Sequence, residues 1–544
     1  MAYLFREIRL NADRTVLNPL LEPETVAKIS ITGVTGRGET VAVAPEEVRF
    51  SARPIFTYGR DEVVSVDAQG VVKPVNGGYA LVEAVWTGGG YSLTASVKII
   101  VRPFYHEYHK TITGKLFMAI EEWGSLKNPP SDVRDESVLV TFEEALDIFR
   151  RLDKITCGMP KIVYLVGWQR GGHDHGYPAF DEVNPKLKRA QDPDARTSMR
   201  WLIREAKKYN TAVSVHINAS DAWSDSKLFG LYRENHILAE NEDGSLKAIN
   251  GFDAQRAHGG VYSVQVCLKR LWETGFFRDR IHELLALIPE LADTHTIHLD
   301  NWQAVGSPRL GITQADDEEA IKEMALWLRS IGLDVTSEGS FHGRTQPMTG
   351  LQPMTWWDTP YDASVMPPSL YCGGRVSRWD ADPRFGDSIQ LENAVQTNLR
   401  RGRDVMDGLQ EEFCLYTLPW QFLNSFLLES FDGETAVYAG GVKAYLEKGV
   451  PMIMWNDTVI RRGTTMFVPM LWKEDRQIMM YGFRDSYLPT VLPEGWEDVE
   501  AVDILYADPR GLEEPVLEQV LPTPGGRFSF APQTRCAYIV RPHK

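Results

Sequence analysis

The chain has 544 residues, a formal net charge of −16 and 24% charged side chains. Its length exceeds one ordinary core, so two or three domains are expected. The acidic balance argues against nucleic acid or anionic membrane as a main partner, because both demand clustered Lys and Arg.

No apolar run reaches the roughly 18 residues needed to span a bilayer, so no membrane segment is expected. The N-terminus, Met1 to Arg9, lacks the basic-then-apolar order of a signal peptide. A cytoplasmic protein is the expectation, or a secreted one if a leader was removed. The five cysteines are scattered and never in CxxC spacing, which fits free thiols in a reducing compartment.

Residues 1–105 read as all-β. Val63–Val66, Ala80–Trp86 and Leu93–Val101 alternate apolar and polar residues, with turn signals at Asp67–Gly70 and Asn76–Gly78. A small β-sandwich is predicted, and the wording from Val64 to Val72 resembles bacterial Ig-like domains. No chemistry is assigned to it.

Residues 106–464 change to strand–helix alternation. Predicted strands are Leu116–Ile120, Ile162–Gly167, Ala212–Asn218, Thr296–Asp300, Val335–Glu338, Phe413–Leu418 and Met452–Trp455. Predicted helices are Thr141–Leu152, Thr197–Lys208, Val266–Leu287, Asp316–Ser330, Gln421–Ser430 and Thr435–Lys448. This rhythm favours an α/β fold with a (β/α)8 TIM-type barrel. No GxGxxG or GxxxxGKS element is present, which counts against a nucleotide site. The Pro-, Gly- and Trp-rich piece from 340 to 410 reads as a long loop shaping a substrate site. Residues 465–544 read as a C-terminal β-sandwich, from Met466–Trp472, Gln477–Gly482, Ala501–Leu505 and Arg535–Val540.

Two strands of the alternating region end on acids, at Asp300 and, thirty-eight residues on, at Glu338. Neighbouring barrel strands lie about 5 Å apart, so the two carboxylates can approach the roughly 5–5.5 Å spacing of a retaining glycosidase pair. An inverting pair needs about 6.5–9.5 Å. Strand-end acids can also simply cap a helix or pair with an arginine.

The loop Gly167-Trp168-Gln169-Arg170-Gly171-Gly172-His173-Asp174-His175 packs donors and acceptors between glycines, as a sugar's vicinal hydroxyls require. His173 and His175 could supply two metal ligands, but no third and fourth follow at matching spacing, so no metal centre is expected. The next strand ends His216-Ile217-Asn218, followed by Asp221-Ala222-Trp223. Asn218 stands where inward polar groups read as site residues; His216 reads as a satisfied core histidine. Trp302-Gln303 and His342 lie where they could flank a scissile bond, and indole faces stack well on pyranoses.

Taken in order, Gly167-Trp168-Gln169, Gly172-His173-Asp174, His216-Ile217-Asn218-Ala219 with Asp221-Ala222, Asp300 and Glu338 resemble the catalytic barrel of glycoside hydrolase family 101, the endo-α-N-acetylgalactosaminidases. The related exo-acting family 129 shares the pattern. The resemblance spans roughly residues 115–345. It implies a retaining mechanism with Asp300 as nucleophile and Glu338 as general acid/base, with His173 and Asp174 as the sugar-binding pair and Asn218 as the strand-end amide. Trp168 and Gln169 belong to the matching motif, while Trp223, Trp302 and His342 join the expected substrate contacts by position alone. Such an acid should be desolvated or close to ionised Asp300, so that its pKa rises. The family's enzymes are typically large and secreted, and a compact chain points instead to an exo-acting enzyme on α-galactosaminides. No cofactor is required; the analogy allows a structural calcium in a flanking sandwich, although no loop has EF-hand spacing. The alternatives are a non-catalytic carbohydrate-binding protein on a degenerate barrel and a transglycosidase using the same acids.

Overall fold

The computed structural model describes residues 4–57, 62–122, 135–173, 176–249, 261–300, 302–338, 352–353, 372–374, 381–482 and 490–544. The chain divides into two compact units, one built on residues 1–106 and the other on the described residues from 107 onward.

In the first unit, Phe5–Ala12, Ala27–Thr35, Val71–Pro74 and Val64–Val66 form one sheet, with Thr40–Val43 beside Ala27–Thr35. Val16–Leu17, Tyr91–Val101, Gly78–Gly88 and Val48–Thr57 form another. Inward residues of both, among them Phe5, Ile31, Val72, Val82 and Ile99, fill one apolar core. The alternation read in Ala80–Trp86 is the alternation of buried and less buried positions observed there, within the strand Gly78–Gly88.

The second unit is organised by a six-stranded parallel sheet, whose strands are numbered here β1 (Ile112–Phe117), β2 (Lys161–Val166), β3 (Thr211–Asn218), β4 (Thr296–Asp300), β5 (Asp334–Ser337) and β6 (Gln352–Pro353). Their spatial order follows the chain, as right-handed strand–helix–strand units produce. Helices α1 (Phe142–Ile155), α2 (Ala195–Ala206), α3 (Leu268–Glu273), α4 (Phe276–Leu287) and α5 (Gln314–Ser330) lie between the strands. Thr141 caps α1 and Thr313 caps α5, each in a reciprocal box with the acid three residues on. The single helix expected over Val266–Leu287 is two, because Gly275 at φ +83 breaks the run.

Beyond β1 the backbone continues in another partner: Lys115 N donates to the Gln390 carbonyl at 3.2 Å. Among the described residues the parallel sheet has six strands.

Several sequence expectations fail here, and the helix expected over Gln421–Ser430 is Leu418–Asn424, followed by the strand Leu428–Phe431. Phe413–Leu418 is helical, not a strand; a short buried apolar run carries no period that separates the two. Thr435–Lys448 is not a helix but the strands Ala436–Tyr438 and Val442–Glu447, separated at Gly440 and Gly441, both at positive φ. Together with Met452–Trp455, they belong to a ten-stranded sheet of antiparallel pairs running from Leu428 to Pro542. The expected boundary at 464/465 therefore cuts through a continuous sheet. Its C-terminal strands bury Phe467, Ile478, Ile504, Tyr538 and Val540 in a core of their own.

Candidate active site

The register of the parallel sheet builds the site. Asn218 pairs with Asp300 and His216 with His298 across β3 and β4. His298 pairs with Thr336 across β4 and β5. Two residues further, the same register sets Asp300 beside Glu338. Because side chains alternate along a strand, His216, Asn218, His298, Asp300, Thr336 and Glu338 share one face.

Each carboxylate has its own set of neighbours. Asn218 Nδ2 donates to Asp300 Oδ2 at 3.2 Å and to Asp221 Oδ2 at 2.9 Å. Asn218 Oδ1 accepts from the backbone N–H groups of Ser220 and Asp221, so the amide is held from both ends. His216 Nε2 lies 3.6 Å from Asp300 Oδ1. Glu338 is in contact with Lys115 Nζ, and His298 Nε2 lies 3.7 Å from its Oε1. Lys115 also reaches Glu392 Oε2 at 3.3 Å. Glu392 opens helix α6 (Glu392–Arg400), where the helix's positive end favours an anion.

Beneath these acids the interior is polar. Tyr108 and Tyr164 converge on Thr296 Oγ1 at 2.8 and 2.6 Å, Ser214 Oγ donates to the Thr296 carbonyl, and His298 Nδ1 meets Thr336 Oγ1 at 2.9 Å. Neither nitrogen of His216 has a hydrogen-bond partner among the described residues, although the ring is fully buried.

Burial is the main cause that holds His216 well below the ordinary imidazole value, with Lys115 and His298 adding to it. Burial likewise brings His298 down to about 4. Both rings are therefore neutral at neutral pH. Burial would push the Glu338 carboxyl up, but Lys115 and then His298 outweigh it, and the net effect is well below the usual carboxylate range. This corrects the expectation of a raised value: the desolvation is present, but a buried ammonium reverses its sign. Burial would push the Lys115 amine down; Glu338, Glu392 and Asp300 together raise it.

The loop after β2 delivers one more group. Gly167 has φ +70, and a Cβ there would come within 1.8 Å of the Ala119 carbonyl oxygen. That close approach lets His173 N donate to the same oxygen at 3.0 Å. The His173 ring then lies 5.0 Å from Phe117 and 5.6 Å from His216.

Potential ligand atoms of His173, His216 and Asp300 lie within 4.8 Å of one another, as do those of His216, His298 and Glu338. Both sets could hold a cation by donor type. Lys115 already supplies positive charge against Glu338 and acts on Asp300.

Asp300, Glu338, Asn218 and His173 are thus brought together as the sequence predicted. Three other predicted residues are placed differently. Trp168 is fully buried with Nε1 donating to the His216 carbonyl at 3.1 Å, and Gln169 turns back to the Gly172 carbonyl at 2.8 Å. Trp302 is 2% exposed and stacks on Phe277 of α4 at 6.1 Å. These three brace the strands and loops rather than offer a face to a ligand. Trp223 is buried in a short strand, Asp221–Trp223, paired with Ser263–Gln265. Asp174 and His342 lie outside the described residues. Lys115, His298 and Glu392 went unread, and His216 is not the satisfied core histidine expected. A charged or titratable residue interrupting an apolar strand, as in Lys115-Leu116 and Ile297-His298-Leu299, was the available signal.

The family model described as Endo-alpha-N-acetylgalactosaminidase (Glyco_hydro_101) matches residues 137–342, which include β2 to β5 and both acids. Among solved structures, the α-N-acetylgalactosaminidase NagBb of Bifidobacterium bifidum in its Gal-NHAc-DNJ complex is 11% identical, with 83% of this chain and 92% of that chain covered and a TM-score of 0.46. Its GalNAc complex is 13% identical over the same shares, at 0.45. The α-amylase of Geobacillus thermoleovorans is 8% identical, with 80% and 99% covered, at 0.39.

Proposed function

We propose that this chain, a glycoside hydrolase related through residues 137–342 to the endo-α-N-acetylgalactosaminidases, hydrolyses α-linked N-acetylgalactosaminides with retention of configuration. The observation that carries the reading is the pair of acids at the C-terminal ends of adjacent parallel strands, each within 4.8 Å of a His216 nitrogen, inside the matched segment. That edge of a parallel α/β sheet is where such folds place catalytic groups.

In this reading, Asp300 attacks the anomeric carbon while Glu338 gives a proton to the leaving oxygen; Glu338 then takes a proton from water as it opens the glycosyl-enzyme. Asn218 orients Asp300 through its amide, and His173 stands at the rim to meet a sugar hydroxyl. The neutral His216 and His298 rings supply dipoles without adding a competing charge.

A panel of 4-nitrophenyl α- and β-glycosides tests it, including N-acetylgalactosaminide, galactosaminide and galactoside. The α-N-acetylgalactosaminide should be turned over fastest. Binding of N-acetylgalactosamine with no product on long incubation would mark a carbohydrate-binding protein instead, and products carrying an added acceptor sugar would mark a transglycosidase.

A further inference from the structure

We propose that Lys115 is a positioning residue shared between Glu338 and Glu392, and that Glu392 is the counter-carboxylate that lets Lys115 release Glu338 to the leaving-group oxygen. The inference deepens the reading above and rests on it for Glu338's role as acid.

The geometry is a buried carboxylate–ammonium–carboxylate array. Lys115 and Glu338 side chains are each 4% exposed and Glu392 is 13% exposed. Lys115 touches Glu338 and stands 3.3 Å from Glu392. A general acid must carry a proton, yet a carboxyl in contact with a buried ammonium is held as the anion. For Glu338 to take up a proton, the ammonium must keep another counter-ion, because a buried charge left unpaired is strongly unfavourable. Glu392 is placed to be that counter-ion.

A separate observation places Glu392 deliberately. The residue before it, Leu391, has φ +66, a region that a bulky side chain rarely adopts. A Cβ on Gly114 would meet Leu391 Cδ1 at 2.9 Å and the Gln390 carbonyl at 3.0 Å. The strained turn is thus pressed against β1 at the position beside Lys115, and it starts α6 with Glu392 in its first turn. Backbone strain of this kind persists where surrounding structure over-determines it, and it clusters at functional sites.

Among the described residues, His298 on β4 and His216 on β3 also act on Glu338, and Asp300 acts on Lys115. The rings are shared by all variants below, so the array predicts opposite signs for its two ends. Glu392→Gln removes a competing carboxylate from Lys115, so Lys115 holds Glu338 more firmly and its ionisation moves to lower pH. Lys115→Met removes the ammonium and moves it to higher pH. Each shift should be about one pH unit or more.

Difference infrared spectra, with Glu338→Gln made in each background as the subtraction partner, isolate the Glu338 carboxyl band through a pH titration and need no turnover. Ionisation at the same pH in wild type and Glu392→Gln overturns the proposal, even if Lys115→Met fails to fold. In kinetics, Glu392→Gln should lose about tenfold more kcat/KM on methyl α-N-acetylgalactosaminide, which needs the acid, than on the 4-nitrophenyl glycoside. Equal loss on both would reduce Glu392 to a structural part. If Asp300→Asn keeps full turnover, it is the glycosidase reading of the site that fails, and the infrared shifts still decide the array.

Discussion

Two interiors of this chain, the core of the first unit and the inside of the parallel sheet, are built on opposite principles. The core cluster of the first unit is filled by apolar side chains, among them Phe5, Ile31, Val72, Val82 and Ile99. The interior of the parallel sheet buries Lys115, Tyr164, Ser214, His216, Thr296, His298, Thr336 and Glu338. Apolar burial stabilises at about 25 cal/mol per Å². A buried polar group gains only if its partner is present, and costs about 1–3 kcal/mol when that partner is lost. The first interior is therefore tolerant and stabilising, while the second is brittle and holds ionisable groups in chosen states. Such a departure from ordinary packing is expected at a working site.

The sharpest way to break this contrast is at Asp300. Asp300→Asn should cut kcat on an aryl α-N-acetylgalactosaminide by roughly 10³-fold or more, with a thermal midpoint close to wild type. Survival of near-wild-type turnover would detach Asp300 from the chemistry.

Stability gives the next largest effects. Lys115→Met should cost about 3–5 kcal/mol by taking the ammonium away from a buried carboxylate, read by denaturant unfolding. Ile99→Ala in the first unit should cost about 2–5 kcal/mol through its cavity, yet leave kcat of the folded protein unchanged. Loss of activity in the folded Ile99→Ala protein would break the division of labour.

A pH effect comes third. The folded value of His298, about 4, lies below the ordinary 6.5. Between those values the unfolded chain binds more protons, so stability rises with pH across that window and falls on acidification from 6.5 to 4. Glu338, held low, adds its own loss below the ordinary carboxylate value. His298→Asn should flatten the thermal midpoint between pH 6.5 and 4, and an unchanged slope would contradict the assignment.

The smallest effect is expected at Trp302. Its ring packs on Phe277, so Trp302→Phe should leave KM within about twofold to threefold, since it keeps an aromatic ring against Phe277 and makes the site only slightly smaller in side-chain volume. A tenfold rise would restore Trp302 as a sugar platform.

Much of the parallel sheet was legible in the chain. Four strands, β2 to β5, were predicted to within one residue at each end, because each is a short run set off from its neighbours by amphipathic helices. The prediction Leu116–Ile120 straddles the end of β1 and the separate short strand Ala119–Glu122. The acids were legible because each follows such a run directly. What failed did so for physical reasons. Phe413–Leu418 is apolar throughout, so no period distinguishes strand from helix. Thr435–Lys448 carries helical spacing by coincidence, and Gly440-Gly441 was the stronger signal. Trp168 and Trp302 invited a sugar-stacking reading that composition alone could not separate from packing. Lys115 and His298 were passed over because the strand pattern around them is otherwise apolar. Their importance comes from Glu338, 223 residues after Lys115 in the chain, a relation that only register reveals.

The central claim is that Asp300 forms a glycosyl-enzyme, with Glu338 assisting both steps. It is tested most directly by proton NMR of the first sugar released from 4-nitrophenyl α-N-acetylgalactosaminide, recorded before mutarotation. The account predicts the α-anomer first, and no release from Asp300→Asn. The β-anomer appearing first would contradict it, and would assign the two acids to a single inverting displacement by water.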